Sequence, residues 1–248
     1  MRKLLLLLLI TVTGLMLSPY AFGKSIILNS SNSVSIRGDI NTEMLASVIS
    51  QLARNKDTVQ YIYINSGGGD IDSGFQILDY LKSTGKKTVC ITSYAASMAF
   101  SMFQACDVRL VTPHAQLMQH LGSYMIMGKS KSNDSERRVI MAKLRALDAA
   151  DAKRMGLSVS DFKKRIDFDM WLFGSEIIQN KAADRMVDVE CSSELANKRE
   201  VVARYTDDGY LTKETFSSCP IIGSPISVEK IPFETTKKNH SRFTQVKK

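Results

Sequence analysis

The chain has 248 residues, 44% of them hydrophobic and 23% charged, which suits one buried core and excludes a fibrous or disordered chain. Its formal charge is +8, but part of the excess sits in a tail at Lys230, Lys237, Lys238, Arg242, Lys247 and Lys248. That reads as a solvated end rather than a nucleic-acid surface, no cysteine and histidine grouping has zinc-site spacing, and no cofactor is expected.

In chain order, Arg2 and Lys3 precede an apolar run from Leu4 to about Leu17, broken by Ser18-Pro19 and followed by Ala21-Phe22-Gly23. This is the layout of a secretory signal peptide cleaved after Gly23, with an uncleaved membrane anchor as the alternative. The expected organisation is a signal peptide over 1–23, a folded domain over 24–190 and a C-terminal extension with a basic tail over 191–248. The mature protein is expected to be exported, to the periplasm or outside the cell.

Residues 24 to 40 predict short strands around a Ser/Asn turn. Asn41 caps a helix whose apolar face carries Met44, Leu45, Val48, Ile49 and Leu52. Tyr61 to Ile64 reads as a strand, and a second helix starts near Asp70 with Ile71, Phe75, Leu78 and Leu81 inward. A strand over Lys87 to Thr92, a turn at Ser93-Tyr94 and a helix over Ala96 to Ala105 follow. Val108 to Val111 and Ala115 to Gln119 are expected as two strands split at Pro113. Met127 to Ser135 reads as a polar loop before a long helix from Glu136 to Arg154, ended by Gly156. A short helix over Val159 to Arg165, a helix capped by Ser175 and a last strand over Met186 to Val189 complete the pattern, which weakens beyond Cys191. Alternating strand and helix predicts an α/β fold with a mainly parallel sheet.

Cys90, inside Val89-Cys90-Ile91, and Cys106, after Ala105, read as small core residues. Cys191 and Cys219 fall in polar surroundings and could pair in an oxidising compartment.

Three short stretches carry chemistry. Gly67-Gly68-Gly69 closes a strand and opens a helix, which frees backbone N–H groups beside a positive helix end. Such a turn accepts an anion, either a phosphate or a developing oxyanion. No Lys-Ser/Thr pair follows it, so it is not a P-loop. Taken alone it reads as a structural turn. Ser97 stands at a helix start, where a hydroxyl usually caps. A parallel sheet brings Ser97 and Gly69 to one edge, where such folds bind ligands. His120 ends a strand, and Asp169 is one of many carboxylates.

Several stretches resemble one family in order. Tyr61 through Gly69, Cys90 through Met98, Thr112 through His120, Asp167 through Trp171 and Ala183 through Asp188 are similar to segments of the proteolytic subunit of the Clp protease. That family lies within the crotonase-like superfamily. The resemblance covers residues 34 to 189 and implies a Clp/crotonase-like fold with a protruding handle helix, here the one from Glu136. It assigns Ser97 as nucleophile, His120 as general base and Asp169 as the carboxylate orienting His120, with Asp167 as the second choice. Backbone N–H groups of Gly69 and Met98 would form the oxyanion hole, and Gly67 and Gly68 would bind substrate. Gly67 replaces a proline of the family, Leu121-Gly122 replace a Gln-Pro, and Phe168 replaces an arginine that helps join two stacked rings.

The resemblance implies a serine endopeptidase, a hydrolase acting through an acyl-enzyme on peptides or unfolded chains, and a homo-oligomer. Export would separate it from any cytosolic ATPase, so activity without ATP is expected. Alternatives are an inactive scaffold of the same fold, a Ser-Lys enzyme like signal peptide peptidase, and an acyl-CoA enzyme of the crotonase type.

Overall fold

A computed structural model of the chain describes residues 25–55, 57–123, 130–206 and 208–232. The expected signal peptide and the tail beyond Pro232 lie outside the described residues.

Parallel strands linked by helices build the centre. β2 (Ser33–Arg37), β3 (Val59–Ser66), β4 (Lys87–Ala96) and β5 (Val108–Gln119) lie side by side in that order, all parallel. The connecting helices are α1 (Thr42–Arg54), α2 (Ile71–Ser83) and α3 (Met98–Ala105). β6 (Met170–Phe173) closes one edge antiparallel to β5, and β7 (Arg185–Met186) adds a short parallel pairing to β5. The expected α/β class and mainly parallel sheet are what the structure has. Caps fall where polar side chains precede apolar periodicity. Asn41 Oδ1 accepts the N–H of Met44 at 2.9 Å, and Asp70 Oδ1 that of Ser73 at 2.7 Å.

Between α3 and β6 lie α4 (Ser130–Met155) and α5 (Val159–Ile166), and after β6 comes α6 (Ser175–Gln179). Several boundaries differ from the sequence reading, each for a physical reason. β4 runs through the expected turn at Ser93-Tyr94, because a register shift between Thr92 and Tyr94 absorbs the irregularity as a bulge. β5 is one strand. Its pairing to β4 skips from Val111 to Gln116, so Pro113, which has no N–H to give, lies in the unpaired stretch. α4 begins at Ser130 and takes in residues expected to loop out, while 124–129 lie outside the described residues. Gly174, not Ser175, caps α6.

The sheet is covered on both faces. Val34, Ile36, Ile62, Ile64, Cys90 and Leu117 face the helices, where Val48, Ile77, Phe100, Phe103 and Phe162 are buried. On the other face Tyr63, Val89, Ile91 and Leu110 pack under Leu28 of β1 (Ile26–Leu28) and Leu195 of α7 (Ser193–Asn197). β1 pairs in parallel with β8 (Val189–Cys191), so the one expected last strand is two, β7 and β8, serving different sheets. Arg109 fastens this end. Its guanidinium reaches Asp184 at 2.6 Å and the Lys181 carbonyl at 3.1 Å.

Past α7, where the sequence pattern weakens, the chain forms a three-stranded antiparallel sheet of β9 (Arg199–Tyr205), β10 (Tyr210–Ser217) and β11 (Ser227–Pro232). Arg37 at the end of β2 anchors it, donating to the carbonyls of Ser217 and Cys219 and lying over the Phe216 ring. Cys191 pairs with Cys219. Cys90 pairs with Cys106 as well, which corrects their reading as unpaired core residues: packing of α3 on β4 brings their Cα atoms to 5.9 Å. The outer edge of β2 is protected by Gln51, whose amide accepts from the N–H of Ser35 at 2.8 Å and donates to its carbonyl at 3.2 Å. Among the described residues no helix is long and apolar enough to cross a membrane.

Candidate active site

The C-terminal ends of β3, β4 and β5 meet at one edge, and each contributes a part. After β4, Ser97 takes φ 55 and ψ −125, a left-handed backbone that a residue with a Cβ adopts only under constraint. The constraint is visible. Its N–H donates to the Met118 carbonyl of β5 at 3.0 Å, and its carbonyl receives the N–H of Ser101 at 3.2 Å. Ala95, Ala96, Met98, Ala99 and Phe100 around it are buried. The Ser97 hydroxyl does not cap α3, the usual duty of a serine in that place. It lies 2.9 Å from Nε2 of His120 instead.

The glycine turn approaches this serine from β3. Gly68 has φ +99, and a Cβ there would meet the Ala96 carbonyl and the Ser97 Cβ, both at 2.7 Å. A Cβ on Gly69, at φ +143, would meet the Ile40 carbonyl at 2.3 Å. Only glycine allows the two backbones to come this close. The Gly68 N–H is already taken by Ser66 Oγ at 3.1 Å, and the Gly68 carbonyl by the N–H of Ile40 at 2.9 Å. Among the described residues no acceptor takes the N–H of Gly69 or of Met98. These two free donors flank Ser97, with the N-terminal end of α3 adding its positive field.

Of the expected site residues, the structure brings Ser97, His120, Gly68, Gly69 and Met98 to one place. Gly67 is exposed beside them and Gly68 is buried beneath. Asp169 is also exposed, at φ 54, and its carboxylate has no hydrogen bond to His120. Its position is nonetheless set by register. β6 pairs antiparallel with β5 as Phe173 with Gln116, Leu172 with Leu117, Trp171 with Met118 and Met170 with Gln119. The ladder ends at that last pair, and Asp169 and His120 are the residues next to it on either strand. Asp167, at the end of α5, has no such register.

The sequence reading missed a buried polar cluster under the site. Asp151 of α4 is 1% exposed and accepts from Ser101 Oγ at 2.6 Å and from Gln119 Nε2 at 3.1 Å. Burial pushes its carboxyl up to about 7, against the two hydrogen bonds that pull it down. A sequence signal for it exists: Leu144, Leu147, Asp151 and Met155 share one face of α4, so a carboxylate stands in an apolar stripe.

A cleft of about 940 Å3 opens beside Gly67, between β2 and the C-terminal sheet, with Arg37, Asn65, Tyr94, Phe216 and Gly223 in its lining. The loop carrying Gly223 sits against Asn65, since a Cβ on that glycine would meet Asn65 Nδ2 at 2.9 Å. Among the described residues no three His, Cys, Asp or Glu side chains group as metal ligands.

The sequence pattern of the Clp protease family matches residues 23–189. The ATP-dependent Clp protease proteolytic subunit 1 of Chlamydia trachomatis serovar D is 35% identical over 123 residues, 47% of this chain and 63% of that protein. The same subunit of Protochlamydia amoebophila is 30% identical over 130 residues, 50% of this chain and 63% of that protein. The ATP-dependent Clp protease proteolytic subunit 2 of Pseudomonas aeruginosa is 25% identical over 160 residues, 62% of this chain and 80% of that protein. The chain thus spans a little under two thirds of the length of the first relatives it matches.

Proposed function

The chain belongs to the Clp protease family, and from that premise we propose that it is an exported serine peptidase in which Ser97 attacks, His120 moves the proton and Asp169 completes the triad. The observation that carries this reading is the Ser97 Oγ to His120 Nε2 distance of 2.9 Å, beside two unused N–H donors.

The chemistry follows from those atoms. Nε2 of His120 takes the hydroxyl proton as Oγ bonds to the substrate carbonyl carbon. The carbonyl electron pair moves to oxygen, which the N–H groups of Gly69 and Met98 receive. Collapse breaks the C–N bond, and His120 gives its proton to the departing amine. The ester left on Ser97 is hydrolysed by a water that His120 deprotonates. Asp169 would serve once its carboxylate turns to Nδ1 of His120; its support is its place next to the last β5–β6 pair. An extended peptide or an unfolded chain would enter past the exposed Gly67. Among the described residues the partner of the Ser97 hydroxyl is a histidine and not a lysine, which favours this reading over a Ser-Lys enzyme.

Two disulfides support export, because such pairs persist in oxidising compartments. Export would leave the enzyme to work without ATP. Support for a homo-oligomer comes from β6 and the turn before it, where Phe168, Trp171 and Phe173 are all exposed around Asp169. Covering them with a second copy would also fix the Asp169 turn.

The test is a fluorophosphonate probe on the chain begun at Lys24, with the adduct mapped by mass spectrometry. Labelling at Ser97, absent after heat denaturation and in His120→Ala, is the expected result. A folded, assembled protein that does not label Ser97 would overturn the reading in favour of the inactive scaffold.

A further inference from the structure

Asp151 touches neither Ser97 nor His120, yet it grips the neighbour of each. Ser101 lies one turn into α3 from Ser97 and gives its N–H to the Ser97 carbonyl at 3.2 Å. Gln119 precedes His120 on β5, and its Oε1 receives the His120 N–H at 3.2 Å. The Ser101 hydroxyl donates to Oδ2 of Asp151 at 2.6 Å, and Nε2 of Gln119 donates to the same oxygen at 3.1 Å and to Ser101 Oγ at 3.0 Å. All three side chains are buried, and together they tie α3, α4 and β5 beneath the Ser97 edge.

We infer that Asp151 is a positioning residue for the proposed reaction: from α4 it fixes Ser101 and Gln119, and through them the spacing of Ser97 and His120. This rests on the reading of Ser97 and His120 as the reacting pair.

Two arguments carry it. The first is that the contacts suit the ionised form. Two donors converge on one oxygen, and the Gln119 amide is thereby turned so that its Oε1 faces the His120 N–H. A proton on Oδ1 leaves Oδ2 to the same two donors but makes it a weaker acceptor, so both bonds loosen. The second is that, among the described residues, no cation pairs with the charge. The charged group facing Asp151 along α4 is Asp148, of like sign, whose own contact is Lys163 of α5 at 3.7 Å. α3 and β5 present only Ser101 and Gln119 to it. A buried carboxylate without a cation weakens the folded state, so its return must be sought elsewhere than in stability.

The pH signs make the inference testable. Burial raises the folded Asp151 carboxyl to about 7. Its contribution to stability is therefore full below the ordinary carboxylate value and is lost as pH rises to about 7. Activity should run the other way, falling as Asp151 takes up its proton.

The experiment measures the rate of fluorophosphonate labelling of Ser97 from about pH 5.5 to 8.5 for the wild type, Asp151→Asn and Asp151→Ala, with melting temperatures to count folded protein. Asp151→Asn keeps an oxygen for both donors. It is expected to melt higher than the wild type at pH 8, to label about fivefold more slowly there, and to approach the wild-type rate at pH 6, where Asp151 is itself largely neutral. Asp151→Ala leaves both donors without an acceptor and should label about tenfold more slowly per folded molecule at pH 8. Superimposable pH profiles for wild type and Asp151→Asn, or an Asp151→Ala rate that falls only with its folded fraction, would reduce the cluster to a structural one and overturn the inference. A folded wild type that never labels Ser97 would instead remove the catalytic reading, and the inference with it.

Discussion

The Ser97 edge and the C-terminal sheet are held by opposite means. Around Ser97 the side chains from Ala95 to Gln104 are almost all buried, and a strained φ of 55 is kept in place by contacts from β3, β5 and α3 at once. In β9 every residue is exposed, Val201 and Tyr205 among them. That sheet depends on a few points of attachment: the Cys191–Cys219 bond, the Arg37 contacts and the Gly223 loop against Asn65. Strain survives where packing over-determines the backbone, and an appended sheet survives where a handful of links suffice. The two regions should therefore respond differently to damage.

The sharpest break of this comparison is at the reacting atom. Ser97→Ala removes the proposed nucleophile and adds no atom to its surroundings, and peptide hydrolysis should fall by about 10^3-fold or more while the melting temperature stays near that of the wild type. Loss of folding along with activity would mean that the serine is structural.

Gly68→Ala comes next, because it attacks the over-determined backbone itself. The added Cβ has no room between the Ala96 carbonyl and Ser97, and φ +99 disfavours it independently. A loss of about 3 kcal/mol in urea unfolding is expected, together with loss of Ser97 labelling. Alanine tolerated at full activity would show that the glycine turn and the nucleophile are less closely fitted than the contacts imply.

Cys219→Ser tests the other region. The Cys191–Cys219 bond spans 28 residues, and its removal should cost about 3.5 kcal/mol on a chain-entropy estimate. The damage should be local. Hydrogen exchange in β9 and β10 should quicken, while Ser97 labels at the wild-type rate. A fall in labelling would show that the extension braces the site through the loop at Asn65, and the two regions would then be one.

These responses bear on what the residues disclosed before any coordinates. The cap at Asn41 and the helix start near Asp70 were legible because a polar side chain precedes apolar periodicity, a local rule. The meeting of Ser97 with Gly69 was legible through strand order, since parallel strands bring their ends to one edge, whereas His120 was singled out by the family resemblance and by no spacing of its own. The Cys90–Cys106 pair was not legible, because each cysteine sits among small or apolar neighbours and only the packing of α3 on β4 brings them together. The start of α4 escaped because Ser130 to Ser135 carry no apolar stripe. β9 escaped for a related reason: with every side chain exposed, burial imposes no alternation on its residues. Asp151 had a pattern-level trace in the apolar face of α4, but its partners come from α3 and β5, which no spacing along α4 could name.

The smallest effect concerns a second carboxylate, and it completes the contrast with Asp151. Asp107 lies at the other end of the same sheet, beside the Cys90–Cys106 bond. Its Oδ2 accepts the Thr88 N–H at 2.8 Å and the Thr88 hydroxyl at 2.9 Å. The Thr88 backbone bond, opposed by partial burial and aided by the Thr88 hydroxyl, holds its carboxyl below the ordinary range. The sign is therefore opposite to that of Asp151. Its stabilisation is present above the ordinary carboxylate value, near about pH 4, and is lost as pH falls through the lowered value. Asp107 is largely open to solvent, so the effect is small. Asp107→Asn should cost about 0.5 to 1 kcal/mol at pH 6 and progressively less as the pH is lowered into the acid range, read from urea midpoints. A cost that persisted at acid pH would assign the stabilisation to shape rather than charge. The carboxylate that gains stability as it ionises sits in a hydrogen-bonded turn far from the reacting pair. The one that loses stability as it ionises sits beneath it, which is where a fold tolerates such a cost only in exchange for function.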